Sequence, residues 1–156
     1  MFGSRKMAAA VLFSALALGA VAPREALAQA PRVVKIEVGD HMKFSVNAIQ
    51  AKPGEQVKVV LNDVGQMPKI AMGHNFVLLK KGADPKAFVD KSVNARDTEF
   101  IAPAVKDQVI AYTRLVGPGE TAETTFTAPK EPGQYVYLCS FPGHYALGMK
   151  GILTVK

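Results

Sequence analysis

The sequence predicts an all-β chain folded as an antiparallel sandwich, and three observations carry that expectation. Short segments rich in β-branched and aromatic residues alternate apolar and polar positions. Turn signals built on Gly and Pro separate them every ten residues or so, drawn from 13 Gly and 10 Pro. One stretch alone carries the start signals of a helix. With 49% apolar residues and a length suited to one domain, a core is feasible, and no repeat or low-complexity tract appears.

Taken in order, Val33–Val38 opens the strand pattern, and Gln56–Leu61 resumes it after a turn at Lys52-Pro53-Gly54. His74 introduces an apolar run, Asn75–Leu79, that stops at Lys80-Lys81-Gly82. Gln108–Arg114 leads to Gly117-Pro118-Gly119, Thr121–Thr127 alternates again, and Gln134–Cys139 follows Pro132-Gly133. Gly151–Val155 is the last strand. Asp84-Pro85 is a capping residue followed by proline at the first helical position, so 84–93 is expected as a short helix outside the sandwich. Its apolar face would comprise Phe88, Val89, Ser92 and Val93; residues 94–107 are expected to be irregular.

Residues 1–28 stand apart. Arg5 and Lys6 precede an apolar run from Met7 to Ala22, and small residues follow at Ala26-Leu27-Ala28-Gln29-Ala30. A basic start, an apolar middle and a small-residue cleavage site describe a secretory signal peptide. Cleavage after Ala28 is preferred, because Pro31 makes a cut after Ala30 awkward. The run is shorter than the ~20 residues that span a bilayer, so a retained anchor is the weaker reading. Residues 29–156 then form a single exported domain, with the periplasm as its expected compartment.

Charge and cysteine use narrow the function. Losing Arg5, Lys6, Arg24 and Glu25 with the leader takes 19 basic and 13 acidic residues to 16 and 12, a net of +4. The positives are scattered singly, which argues against a nucleic-acid surface. A chain bound for an oxidising compartment carries one cysteine, Cys139, so no internal disulfide can form. A lone thiol there is open to oxidation, and three uses compete: an inert buried group, a nucleophile or a metal ligand.

The neighbours of Cys139 favour the last. Cys139-Ser140-Phe141-Pro142-Gly143-His144-Tyr145-Ala146-Leu147-Gly148-Met149 places a thiolate, an imidazole and a thioether on one loop between two strands. Two His and one Cys with a weak axial Met is the donor set of blue copper, where thiolate suits Cu(I) and imidazole accepts both oxidation states. The second His comes from elsewhere. His41 sits in a polar turn, Gly39-Asp40-His41-Met42, whereas His74 stands at the mouth of an apolar strand. Alone, such a His is ordinarily structural; beside a Cys/His/Met loop it reads as a ligand.

Met72-Gly73-His74-Asn75 and Cys139–His144 resemble the two copper segments of the azurins, bacterial cupredoxins, and the likeness extends to Met42-Lys43-Phe44, Asn47-Ala48-Ile49 and Ala111–Leu115. The resemblance implies a Greek-key sandwich holding one type 1 copper ion and transferring single electrons without substrate chemistry. His74, Cys139 and His144 would be the equatorial ligands, Met149 the axial one, and the Gly73 carbonyl a distant opposite contact. Asn75 would tie the two segments together near Ser140. Met42, Met72, Phe141, Pro142, Gly143 and Ala146 would form the apolar ring through which transient redox partners dock. Those partners would be c-type cytochromes or membrane-associated oxidoreductases. A copper carrier or store is the alternative function.

The chain departs from azurins in four ways. The azurin disulfide is impossible with one Cys, Phe76 stands where Trp is common, and Asp63 replaces a histidine that responds to pH in some members. Finally, four residues separate His144 from Met149 where azurins have three, an interval shared with auracyanin and plastocyanin.

Overall fold

A computed structural model describes residues 30–156; the expected signal peptide lies outside the described residues. The strands are β1 (Arg32–Val38), β2 (Ala48–Ala51), β3 (Gln56–Asp63), β4 (Val77–Leu79), β5 (Val109–Tyr112), β6 (Thr121–Thr127), β7 (Gly133–Leu138) and β8 (Lys150–Val155). They form a three-stranded sheet ordered β1-β3-β6 and a five-stranded sheet ordered β2-β8-β7-β4-β5. The chain passes between sheets at every connection except β4–β5 and β7–β8, as Greek-key sandwiches require.

Alternation makes the sandwich. In β3, Val57, Val59 and Leu61 are fully buried while the residues between them are partly open, and β1 matches them with Val34, Ile36 and Val38. One side of each sheet therefore loses its apolar area to water exclusion, at about 25 cal/mol per Å². The core holds no Trp. Its aromatic centre is Phe44, Phe76 and Tyr137, with ring centroids 5.0–6.5 Å apart. Phe76 thus occupies a fully buried core position. The Tyr137 hydroxyl, buried with it, donates to the Val46 carbonyl at 2.6 Å, so the ring is not left with an unpaired polar end.

The structure corrects several expectations. The sandwich is not wholly antiparallel: β1 pairs with β3, and β2 with β8, in parallel. In each case the chain visits the opposite sheet before returning, which supplies the long crossover a parallel pair needs. β2 carried no alternation long enough to read, and pairing with β8 is what makes it a strand. The run after His74 is a strand only from Val77, and β5 stops at Tyr112 rather than Arg114. There the Thr113 hydroxyl, not a backbone carbonyl, accepts the Phe76 N–H at 3.0 Å, which ends the regular ladder.

The helix is present as α2 (Pro85–Ser92), following a short α1 (Lys69–Met72) that the sequence did not suggest. Asp84 caps α2 by accepting from Lys86 N and Ala87 N. Its buried face is narrower than expected. Phe88 and Ser92, one turn apart, are buried, whereas Val93 is 44% exposed. Phe88 joins Val77, Leu79, Ile101, Val105 and Leu138 in a second apolar cluster, through which the helix packs onto the sandwich. Residues 94–107 are not irregular throughout: tight helical turns occupy Arg96–Thr98 and begin at Pro103.

Candidate metal centre

His74, Cys139, His144 and Met149 come from two connections that meet at one end of the sandwich. α1 delivers the chain to His74, whose N–H donates to the Val116 carbonyl at 3.0 Å and whose carbonyl accepts from Val116 N at 2.7 Å. This bridge fixes the His74 backbone beside the segment that follows β5. Gly73 allows the close approach: a Cβ there would lie 2.8 Å from the Lys69 carbonyl and 3.3 Å from the Phe141 ring.

The second connection runs from β7 to β8. Cys139 follows the last residue of β7, and its N–H donates to the Met149 carbonyl at 3.2 Å, while Met149 N donates to the His144 carbonyl at 3.0 Å. Three of the four residues are therefore cross-linked through their own backbone. Gly143 and Gly148 turn the loop with φ of 86° and 89°, angles that L side chains rarely adopt. The residue that lengthens this loop, Gly148, makes that turn one position before Met149, whose side chain is fully buried.

The donor atoms of His74, Cys139 and His144 all lie within 4.8 Å of one another. Cys139 Sγ is 3.5 Å from His144 Nδ1, and the two imidazole centroids are 4.9 Å apart. A thiolate and an imidazole sharing one metal at ordinary bond lengths sit about 3.6 Å apart at a tetrahedral angle, so the spacing fits a metal between them. A second observation agrees. Both ring nitrogens of His74 are buried without a hydrogen-bond partner. A metal can take the nitrogen that carries the lone pair and so relieve about 1–3 kcal/mol for an unpaired buried acceptor, while the Gly39 backbone interacts only weakly with the ring.

Burial also sets the protonation states. It pushes His74 and His144 down to about 4, so both imidazoles are neutral donors at neutral pH. Burial pushes the Cys139 thiol up to about 12. A bound cation acts in the opposite sense and displaces that proton. Asn75 locks the two connections together: its Oδ1 accepts from Ser140 N at 2.8 Å, and its Nδ2 donates to Ser140 Oγ at 2.9 Å. The residues after His74 and after Cys139 are thereby joined, which steadies the donors themselves.

The remaining expected site residues divide by exposure. Met42, Met72, Phe141 and Pro142 are half-buried, and Gly143 and Ala146 are exposed. His144 is 3% exposed, its ring 4.7 Å from that of Phe141. Sequence reading missed Ile70 and Leu147, 70% and 57% exposed on the same two connections. It missed Lys43, which donates to the Leu147 carbonyl at 2.8 Å, and Glu99, whose carbonyl accepts from Asn75 Nδ2 at 2.8 Å. No sequence signal marks the last two, because their partners are backbone atoms or residues distant in the chain. His41 is exposed in its turn, as expected.

A β-sandwich with two His, one Cys and one Met gathered at one end defines a type 1 copper protein. The chain belongs to the plastocyanin/azurin family of copper-binding proteins, whose model matches residues 31–156. It is 42% identical to azurin of Pseudomonas aeruginosa, over 97% of this chain and 99% of that protein. It is 38% identical to outer membrane protein H.8 of Neisseria meningitidis, over 77% of this chain and 65% of that one. Among solved structures it is similar to auracyanin from Roseiflexus castenholzii, with a TM-score of 0.70 and 34% identity over 82% of this chain and 99% of that chain. The protein is accordingly a copper-binding electron carrier.

Proposed function

We propose that His74, Cys139 and His144 hold the copper strongly, that Met149 is its axial ligand and the Gly73 carbonyl a distant opposite contact, and that electrons pass through His144. The observation that carries the assignment is the convergence of three buried donors within 4.8 Å, with both His74 nitrogens otherwise unpartnered. Bound there, copper supplies a one-electron couple between Cu(I) and Cu(II). The chain's own residues do the rest. The backbone links among Cys139, His144 and Met149, with the Asn75–Ser140 lock, hold the donors still so that little reorganises when charge changes. Phe76 and Phe141, packed in the same apolar cluster as Cys139 and Met149, exclude water. His144, packed on Phe141, would pass electrons to a partner docked on a ring of Met42, Met72, Phe141, Pro142, Gly143 and Ala146.

Reversible, colour-changing electron transfer without turnover is the expected activity. A catalytic copper would need further imidazoles, and His41, the one other His of the chain, is exposed in a turn. Copper storage or carriage, the second reading, favours open and exchangeable donors, whereas these are buried. In the wider His144–Met149 interval Gly148 turns the chain before the buried Met149, which would favour Met149 over the Gly73 carbonyl as the weak axial donor. The partners are redox proteins such as c-type cytochromes or membrane-associated oxidoreductases, bound transiently. Residues 1–28 act as an export signal to the periplasm, and no helix among the described residues is long and apolar enough to cross a membrane.

Titrating metal-free protein with Cu(II) tests the reading. One equivalent should produce intense visible absorption that bleaches reversibly on one-electron reduction, and Cys139→Ser should abolish it. Absorption that survives in Cys139→Ser refutes the ligand set. Met72→Lys should slow electron exchange with cytochrome c and leave the spectrum unchanged; an unchanged rate refutes the docking ring.

A further inference from the structure

Glu99 and Phe100 follow the tight turn at Arg96–Thr98, and both have left-handed backbone, with φ of 61° and 55°. Neither is Gly or Asn. Such backbone is strained for a residue with a Cβ and persists only where its surroundings over-determine it. The turn itself is held by Glu99 N on the Arg96 carbonyl at 3.1 Å and Phe100 N on the Ala95 carbonyl at 2.8 Å. Its effect is to aim consecutive groups at every segment that carries the metal centre.

The Glu99 carbonyl accepts from Asn75 Nδ2 at 2.8 Å and lies 3.4 Å from Ser140 Oγ. The Glu99 carboxylate accepts from Leu115 N at 2.6 Å. Leu115 precedes Val116, the residue bridged to His74. The Phe100 ring stands edge-on to Phe141 at 5.1 Å, and Phe141 packs on His144. A carbonyl oxygen only accepts, so the Asn75 amide must present its NH2 to Glu99. Its Oδ1 is then left to face Ser140 N, the residue after Cys139. The Ser140 N–H, which only donates, and the Glu99 carbonyl, which lies outside both ligand segments, therefore demand the same orientation of the lock.

We propose that Glu99 is a positioning residue of the copper site, fixing the Asn75 amide with its carbonyl and the His74-bridged segment with its carboxylate. This rests on the copper reading for its consequence, and on the hydrogen bonds alone for its cause. Glu99→Gln would keep an acceptor for Leu115 N, whereas Glu99→Ala and Glu99→Gly would not, and the glycine also removes the backbone strain.

The test compares Glu99→Gln, Glu99→Ala and Glu99→Gly by two measurements. In the metal-free protein, amide exchange at Ser140 N–H should accelerate at least about tenfold in Glu99→Ala or Glu99→Gly, the equivalent of one net hydrogen bond, and stay near wild type in Glu99→Gln. In the copper protein, the visible band and the midpoint potential should move in Glu99→Ala or Glu99→Gly and return in Glu99→Gln. Glu99→Gly keeps the test open if Glu99→Ala does not fold, because φ near +60° suits glycine. Unchanged exchange in both short variants overturns the proposal. So does faster exchange with band and potential unmoved, which would make Glu99 a brace of the fold only. Absence of a blue band from the wild-type protein counts against the copper reading and leaves the exchange result to decide this one.

Discussion

Replacing Asn75 by Ala should destabilise the metal-free protein by about 2–5 kcal/mol, and the figure follows from what the amide touches. Ser140 N–H is buried and loses its acceptor at 2.8 Å, which costs about 1–3 kcal/mol for an unsatisfied donor. The Glu99 carbonyl loses its donor at 2.8 Å, but the Ser140 hydroxyl, 3.4 Å away, can turn toward it, so this loss is about 1 kcal/mol or less. Deleting a fully buried carboxamide leaves a small void worth about 1 kcal/mol more. Urea unfolding under reducing conditions measures the sum: with a slope of about 1.5 kcal/mol/M, the midpoint should fall by about 1.3–3.3 M with the slope unchanged. Ser140→Ala is the control. It removes one hydroxyl and keeps the Ser140 N–H bond, so it should cost about 1 kcal/mol or less. An Asn75→Ala midpoint within about 1 kcal/mol of wild type, or a larger loss in Ser140→Ala, would refute the reasoning.

Three other outcomes are expected. Gly151→Ala places a Cβ 2.2 Å from Tyr137 Cζ and 2.6 Å from the Asn47 carbonyl, so β8 must shift, and thermal unfolding should show a loss of at least about 1–3 kcal/mol; a melting temperature equal to wild type would contradict the packing. Burial holds the Asp63 carboxyl above the ordinary aspartate range, with Asp40 and Glu120 acting in the same sense against the Gly65 N–H bond. Because the folded value is raised, the favourable contribution of this group is present below the unfolded pKa and is lost as pH rises through the folded one. Asp63→Asn should therefore gain on wild type in urea midpoint as pH rises from about 4, and a gap that widens on acidification instead would sink the argument. Cys139 is fully buried, so iodoacetamide at pH 8 should label the folded metal-free protein at least about a hundredfold more slowly than the urea-unfolded chain; equal rates would remove the thiol from the interior.

Much of the fold and site was legible from particular residues. The strands read at Thr121–Thr127 and Gln56–Leu61 were readable because each presents alternation over six or seven residues, and a period of two is a local property; the second runs on to Asp63 in the structure. α2 announced itself through Asp84-Pro85, a cap and a helix start that act on adjacent atoms. The copper loop was legible because Cys139, His144 and Met149 lie within one short stretch of chain, and His74 because few histidines competed with it. β2 and the lower half of the run after His74 were not readable in the same way. Ala48–Ala51 is a strand because β8 lies beside it, and Asn75-Phe76 leave the ladder because the Thr113 side chain replaces a backbone acceptor.

The sequence by itself determined the chemistry: which donors exist, that one thiol must serve without a disulfide partner, and that Gly143 and Gly148 can turn the loop between His144 and Met149. Those are properties of residue type and short spacing. Only the tertiary structure decided that β1 runs parallel to β3, that His74 meets Cys139 and His144 with both its nitrogens unpartnered, and that Glu99 in a left-handed turn faces Asn75. The hydrogen bonds of Asn75 join residues 24 and 65 positions apart. Hydrogen bonds at that separation leave no local pattern, because their geometry exists only once the apolar faces of both sheets have closed on one core.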